Sequence, residues 1–171
     1  VFIRFLSNSK LMEEHPFSIS SNPLNPGSLS VTVKGLGNYT SLLRHLKIGT
    51  KAIVDYPYGS FSIPDSLNDG EIVLIAGGIG ITPFLSYLAY LSEKKSNQAV
   101  TLIWGISNPG DLLKKDFFDD VQKAMPNFRL IPLVSNQRHS DSAEDRKLEQ
   151  GYFDEEKAHR LIGKDLTPFE Y

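Results

Sequence analysis

The sequence has no cysteine in 171 residues. Disulfides, thiolate nucleophiles and cysteine-held iron–sulfur clusters are therefore excluded from these residues. Its four histidines are scattered without zinc-like spacing, so no metal site is expected. A strong charge of either sign is missing as well: 18 Lys and Arg against 20 Asp and Glu leave a net charge of −2. That balance gives no reason to expect nucleic acid or an anionic membrane surface as partner. There is no initiating Met and no signal-peptide pattern. Val1 opens directly inside an apolar run, and Phe169-Glu170-Tyr171 closes without a terminal cap, so a piece of a longer protein is expected. No internal repeat is visible. What remains is an ordinary globular composition, 40% hydrophobic and 22% charged, enough to bury a core in one domain or two small ones.

Long uncharged runs are also scarce, and the exception is the most informative stretch of the chain. Ile72 to Leu91 spans 20 residues without a charge, long enough by hydropathy to cross a bilayer. Its interior argues against that. Gly77, Gly78 and Gly80 cluster in the middle, followed by Thr82 and Pro83, where a spanning helix would break. Before the glycines, Ile72–Ala76 is a short apolar run of the kind found in a parallel strand buried on both faces. After them, Thr82 is expected as N-cap and Pro83 as the first helical residue. Phe84, Tyr87, Leu88 and Leu91 recur at helical spacing, and Lys94 and Lys95 suit the far end of the dipole. The pattern predicts strand, glycine turn, helix. Such a turn aims backbone N–H groups and a positive helix end at an anion, usually a nucleotide phosphate.

The character of the chain changes at PDSLNDG, residues 64–70. Before it lie short β-like runs, Val1–Leu6, Phe17–Ser20, Leu29–Val33 and Ala52–Asp55, with one short helix from Thr40 to Leu46. Turn clusters such as SNPLNPGS separate the runs, which predicts a small antiparallel barrel or sheet. After the link the rhythm becomes strand 72–76, helix 83–95, strand 99–104, helix 116–125, strand 129–134 and a last helix opening near Asp154. That alternation predicts a parallel sheet with right-handed crossovers and helices on both faces. Residues 135–151 are polar and lack periodicity, so they read as a mobile surface loop. Two domains are expected, 1–66 and 67–171.

Four blocks stand out, in this order: His15-Pro16-Phe17-Ser18-Ile19-Ser20-Ser21, Lys34-Gly35-Leu36-Gly37-Asn38-Tyr39-Thr40, Tyr56-Pro57-Tyr58-Gly59-Ser60-Phe61, and Gly77-Gly78-Ile79-Gly80-Ile81-Thr82-Pro83-Phe84. In the first block Phe17 offers a flat aromatic surface and Ser18 a small hydroxyl donor beside it in sequence. Read alone, HPFSIS is equally a half-buried strand alternating at Phe17 and Ile19. Gly37 and Thr40 suit a pyrophosphate at a helix start, or an ordinary glycine turn with a Thr cap. Lys34 either neutralises phosphate or is solvated. The third block reads as structural.

Taken together, the four blocks resemble the ferredoxin–NADP reductase superfamily of flavin oxidoreductases, and most of all the dehydrogenase modules of ferric reductases and NADPH oxidases. The resemblance covers roughly the whole chain. It implies a partial antiparallel β-barrel of the FAD-binding type, with its first strands missing before Val1. An α/β parallel-sheet nucleotide-binding domain would follow, lacking the family's terminal Cys-Gly-Pro segment, strand and helix. It further implies that FAD packs on Phe17 with Ser18, the candidate catalytic residue, directed at N5. His15, Pro16, Ile19, Lys34, Gly37, Tyr39 and Thr40 would complete the flavin site. His15 stands where many relatives carry a phosphate-holding Arg, and Tyr56 where they carry Gly. NADPH or NADH would bind at Gly78, Gly80, Ile81, Thr82 and Pro83, with Thr82 near the nicotinamide. Ser107 stands where several relatives place an Arg at the adenosine end. Ser135 and Arg138 match positions that grip a 2′-phosphate, with Tyr152 placed to stack nearby; Arg138 reads equally as surface charge. The nucleotide choice stays open.

The implied activity is hydride transfer from nicotinamide C4 to flavin N5, with electrons passed singly to a haem or ferric iron acceptor. That acceptor would be reached through a membrane domain outside this chain, the module lying on the cytoplasmic side of the membrane or otherwise in the cytoplasm. A non-catalytic flavin- or nucleotide-binding regulatory fragment is the alternative. An iron–sulfur electron-transfer subunit is disfavoured by the missing cysteine.

Overall fold

The computed structural model describes residues 1–7, 10–56, 58–59, 70–112, 114–136 and 148–162. By contact the chain forms two compact units: Val1–Ser66 with Ile79–Lys94, and Leu67–Gly78 with Lys95–Tyr171.

In the first unit, β1 (Phe2–Ser7) is the hub of a four-stranded antiparallel sheet. It pairs with β2 (Lys10–Leu11), β3 (His15–Pro16) and β4 (Ala52–Asp55), with Phe2 opposite both Pro16 and Asp55. The pairing runs on past β3, because the Val1 ammonium donates to the Phe17 carbonyl (2.9 Å) and the Phe17 N–H to the Val1 carbonyl (2.8 Å). The strands expected at Phe17–Ser20 and Leu29–Val33 contract to a single bridge, Ile19 to Val31. Pro16 has no N–H to carry a ladder onward. Beyond it the Ser20 and Thr32 hydroxyls bond each other at 3.0 Å, and the Ser20 N–H donates to the Ser30 carbonyl. All four residues of β4 are exposed, Ile53 and Val54 among them.

Helix α1 (Asn38–Leu43) starts two residues before the expected Thr40 and buries no residue. It is closed from within: Thr40 Oγ1 accepts from the Leu36 and Gly37 N–H groups, both at 3.1 Å. Helix α2 (Thr82–Glu93) buries Thr82, Phe84, Leu85, Tyr87, Leu88 and Leu91. Leu88 is fully buried, worth about 1.5–3 kcal/mol over an exposed side chain. Thr82 is not the expected N-cap. A 3-10 turn, Gly78–Ile81, runs straight into the helix, and the Thr82 hydroxyl donates back to the Ile79 carbonyl at 3.2 Å. Pro83 does fall in the first turn, where its missing N–H has no intrahelical partner to lose. The segment after Ser18 is stapled to α2 by Ser86 Oγ donating to the Ser21 carbonyl (2.7 Å) and Asn22 Nδ2 to the Ala89 carbonyl (3.2 Å).

The second unit is a parallel sheet in the order β5 (Ile72–Gly77), β6 (Val100–Ile106), β7 (Phe128–Val134), β8 (Glu149–Gln150). Central β6 is buried almost throughout. Edge strand β5 alternates and leaves Ile75 48% exposed, so its burial is one-sided rather than two-sided as expected. Pro132 sits in β7 just before pairing with β8 begins at Leu133, so no ladder bond to β8 is lost there. Helix α3 (Lys115–Ala124) and helix α4 (Glu155–Ile162) complete the unit. Ile103, Ile131 and Leu133 form a buried cluster packed by Val73, Phe153, Leu161 and Ile162.

Strand β8 lies within the stretch expected to be loop; two polar residues show no periodicity to read. Residues 137–147 of that stretch lie outside the described residues. Glu149 of β8 accepts both Arg160 guanidinium nitrogens of α4 at 3.2 and 2.7 Å, which holds its carboxyl below the usual range. Among the described residues no helix is long and apolar enough to cross a membrane, so the uncharged run 72–91 is strand, turn and helix.

Candidate functional site: a cleft where three sequence blocks meet

A cleft of about 670 Å³ opens within the first unit, in the size range of small-molecule sites. One wall is the chain from His15 to Ser18, as it leaves β3. A second runs from Thr32 through Lys34 to Leu36 and into α1, with Gly37, Asn38, Tyr39 and Thr40. The third is the start of α2 and the turn before it: Ile79, Gly80, Thr82 and Pro83. Three blocks separated by up to 60 residues thus border one space.

Of the residues singled out by the motifs, His15, Pro16, Phe17, Ser18, Lys34, Gly37, Tyr39, Thr40, Gly80, Thr82 and Pro83 border the cleft; Ile19, Gly78 and Ile81 do not. Ile19 forms the bridge to Val31, and Ile81 is buried. Leu36, Asn38 and Ile79, inside the quoted blocks but given no role there, and Thr32 and Val33, just before the second block, border it as well. Ser107 and Ser135 lie in the second unit, just past the carboxyl ends of β6 and β7. There the Ser135 N–H donates to the Ile106 carbonyl and the Asn136 N–H to the Ser107 carbonyl, both at 3.0 Å. Asn136 Nδ2 also donates to Asn108 Oδ1 at 3.2 Å. Tyr152 is exposed. Arg138, Pro57, Ser60 and Phe61 lie outside the described residues. Tyr58 is exposed and donates to Asp55 at 2.9 Å, which keeps its hydroxyl protonated to higher pH.

The cleft holds a ring pair that no motif announces. His15 stacks on Tyr39 with centroids 3.6 Å apart and planes 25° from parallel. His15 Nε2 lies 3.5 Å from a Glu13 carboxylate oxygen without forming a hydrogen bond to it. It and the Tyr39 hydroxyl are both enclosed without a hydrogen-bond partner among the described residues. Burial, and then the Glu13 charge, push the Tyr39 phenol above its ordinary value of 10.0. Enclosed polar atoms left unmatched at a cleft wall are what a polar ligand would satisfy. Neighbouring Glu14 pairs with Arg4 Nε at 3.0 Å, so that anion is already matched.

The glycines give a second test of fit. Gly78 has φ +50°, a conformation that favours glycine. Gly37 and Gly80 do not have positive φ, and a Cβ built on either meets nothing within 4 Å. Neither backbone strain nor packing within the protein requires glycine at those two positions. Open space beside a backbone free of side chain suits close approach by a phosphate or a flat ring. With Phe17 and Ser18 bordering the same cleft, the residues present fit a flavin and a pyridine nucleotide.

Residues 1–62 match the family described as FAD-binding domain, and residues 74–169, more than half of the chain, match the one described as Oxidoreductase NAD-binding domain. The chain belongs to the ferredoxin–NADP reductase superfamily. As a member it carries the paired FAD-binding and NAD-binding modules of an oxidoreductase. Ferric reduction oxidase 3 of Arabidopsis thaliana is 38% identical over 124 residues, which is 66% of this chain and 17% of that protein. A terephthalate 1,2-dioxygenase reductase component of a Comamonas species is 28% identical over 127 residues, 72% of this chain and 37% of that one. The chain therefore spans well under half the length of these relatives. Among solved structures, a ferredoxin NADP+ reductase from Neisseria gonorrhoeae with bound FAD and NADP aligns with a TM-score of 0.70 at 22% identity. The alignment covers 98% of this chain and 67% of that one. The Amycolatopsis cytochrome P450 reductase aligns with a TM-score of 0.71 at 20% identity, covering 94% and 48%. These structural likenesses establish the fold: an antiparallel sheet of the FAD-binding type and a parallel nucleotide-binding sheet.

Proposed function

We propose that these residues are the dehydrogenase module of an FAD-dependent NAD(P)H oxidoreductase of the ferric reductase type, with residues 1–66 as its FAD-binding part and 67–171 as its NAD(P)-binding part. The observation that carries this reading is the shared cleft: Phe17 and Ser18 border the same space as Gly80, Thr82 and Pro83. When bound, the flavin supplies the chemistry, taking two electrons as hydride from nicotinamide and releasing them one at a time. Phe17 offers its ring face as a platform for the isoalloxazine. The Ser18 side chain is small and exposed, so its hydroxyl can donate at N5 without blocking approach from the other side. Gly80 leaves the nicotinamide wall bare, and Pro83 fixes the helix start behind it. Thr82 is half engaged, since its hydroxyl already donates to Ile79. Lys34, which borders the cleft together with Gly37, supplies a cation for a pyrophosphate lying at the Gly37 turn, with Thr40 holding the turn closed. His15, Pro16, Ile19 and Tyr39 shape the flavin side, and Gly78 and Ile81 the turn behind the nicotinamide. Ser107, Ser135 and Arg138 are assigned to the adenosine end. The module's work is to align two rings and keep water out.

For the acceptor, the 38% likeness to a ferric reduction oxidase, against 28% for the dioxygenase reductase, favours haem or ferric iron reached through a membrane domain outside these residues. The module would then lie on the cytoplasmic side of that membrane. The test is cofactor analysis of the full-length protein after FAD and FMN reconstitution, followed by anaerobic mixing with NADPH and NADH. Stoichiometric FAD that bleaches on mixing is expected. Retention of FMN alone, or of no flavin, would overturn the assignment.

A further inference from the structure

The tryptophan at position 104, the only one in the chain, sits near the end of β6, 5% exposed. Its ring packs against Phe118 of α3 at 5.9 Å between centroids, and Phe118 stacks on Phe128 of β7 at 6.4 Å; all three are buried. A core position of that kind asks for volume and flatness, which phenylalanine also supplies. Here the indole N–H does something packing does not require: it donates to the carbonyl of Gly78 at 2.8 Å.

Gly78 is the second residue of the glycine turn and has φ +50°. Gly77 and Gly78 are consecutive, and neither carries a side chain that would resist rotation of the peptides around them. A turn of this composition, left alone, samples more than one peptide orientation. A peptide unit is planar and trans, so its C=O and its N–H point in opposite directions. Holding the Gly78 carbonyl toward the indole therefore sends the N–H of Ile79 the other way. Ile79 and Gly80 are the turn residues that border the cleft.

We propose that Trp104 is a positioning residue for the nucleotide turn. Its indole N–H locks the Gly78–Ile79 peptide so that the Ile79 N–H is presented outward as a fixed donor to the pyridine nucleotide. Trp104 itself touches no ligand in this account. It acts through Gly78, and the Phe118–Phe128 pair holds its ring in place. This inference rests on the reading of the turn as the nicotinamide site.

The test uses the full-length, flavin-loaded protein and Trp104→Phe, which deletes the donor and fills most of the ring space. A single neutral hydrogen bond acting in preorganisation predicts that KM and the dissociation constant for NAD(P)H rise about 3- to 10-fold. The limiting rate of flavin reduction and the FAD content should stay within about twofold of wild type. A purely packing role predicts the reverse: lower thermal stability and FAD content with KM unchanged, and that result overturns the proposal. The second measurement needs no variant. In wild type the Ile79 backbone amide should shift in a ¹⁵N-edited NMR spectrum when oxidised nucleotide is added, and an unmoved Ile79 amide also overturns it. If wild type binds no pyridine nucleotide at all, both the functional reading and this inference fall. If wild type binds and Trp104→Phe binds equally well, only the inference falls.

Discussion

Replacing Gly80 by alanine should move stability and ligand affinity in opposite directions. Gly80 lies in the 3-10 turn Gly78–Ile81, does not have positive φ, and a Cβ built on it meets nothing within 4 Å. In the free protein alanine therefore costs no strain and no clash, while it reduces the freedom of the unfolded chain. Such substitutions stabilise by about 0.4–1 kcal/mol. For a chain of this length that corresponds to a rise in Tm of roughly 1–4 °C. If the nucleotide approaches at Gly80 as proposed, the same methyl stands in its path. An extra methyl forced into a close-packed contact costs about 1–3 kcal/mol, which is about a 5- to 150-fold loss in affinity. The assay pairs thermal melts without nucleotide with the concentration dependence of flavin reduction by NADPH and NADH. A higher Tm with unchanged affinity would show that the open space beside Gly80 is not where the nucleotide lies. A lower Tm would show that the backbone there needs glycine for folding.

Gly78→Ala should behave in the contrary way, because φ +50° puts its Cβ in a strained position; it should destabilise by about 1–2 kcal/mol, read from denaturant midpoints. Ser18→Ala removes a donor but little volume, so FAD retention should survive. The stopped-flow reduction rate should fall toward the lower end of the roughly 10²–10³ seen when one preorganised hydrogen bond is lost, or somewhat less, since hydride transfer focuses charge weakly; an unchanged rate refutes the role given to Ser18. Glu149 is held below its usual value of 4.5, first by its hydrogen bond from Arg160. A carboxyl lowered on folding adds stability that is present above that usual value and is lost as pH falls through the lowered one. Melts below pH 4.5 should therefore show a shallower acid loss in Glu149→Gln than in wild type.

The strand, glycine turn and helix of residues 72–93 were legible because glycine and proline punctuate the backbone by steric rules that tertiary context seldom overrides. The ends of β4 were legible for a related reason, with turn residues on either side of a short apolar run. The N-terminus of α2 was less so. Thr82 followed by Pro83 spells a cap, yet the 3-10 turn before it already continues into the helix, leaving the threonine hydroxyl to bond backward to Ile79. Burial on both faces of β5 was expected from an unbroken apolar run, but composition does not reveal which strand lies at a sheet edge. As for the cleft, the motifs supplied the walls and not their meeting. The stack of His15 on Tyr39 joins residues 24 positions apart, and the Trp104 bond to Gly78 joins residues 26 apart. Neither pair shares an element whose periodicity would relate them.

Helix α2 follows the glycine turn in sequence, and so falls in the nucleotide-binding half of the chain, but by contact it belongs to the first unit, tied there through Ser86 and Asn22. The consequence is for modularity. A cut at the polar link near residue 66 would not release an intact first unit, because it would take away the helix on which the segment after Ser18 is anchored. The same holds for recombination between relatives. A chimera joined at the link would bring together a serine–asparagine anchor from one parent and a helix from another, and would keep its cleft only where the positions matching Ser21, Asn22, Ser86 and Ala89 remained compatible. Exchange of nucleotide preference among such proteins is therefore better sought downstream of Lys94, where the chain has left the first unit.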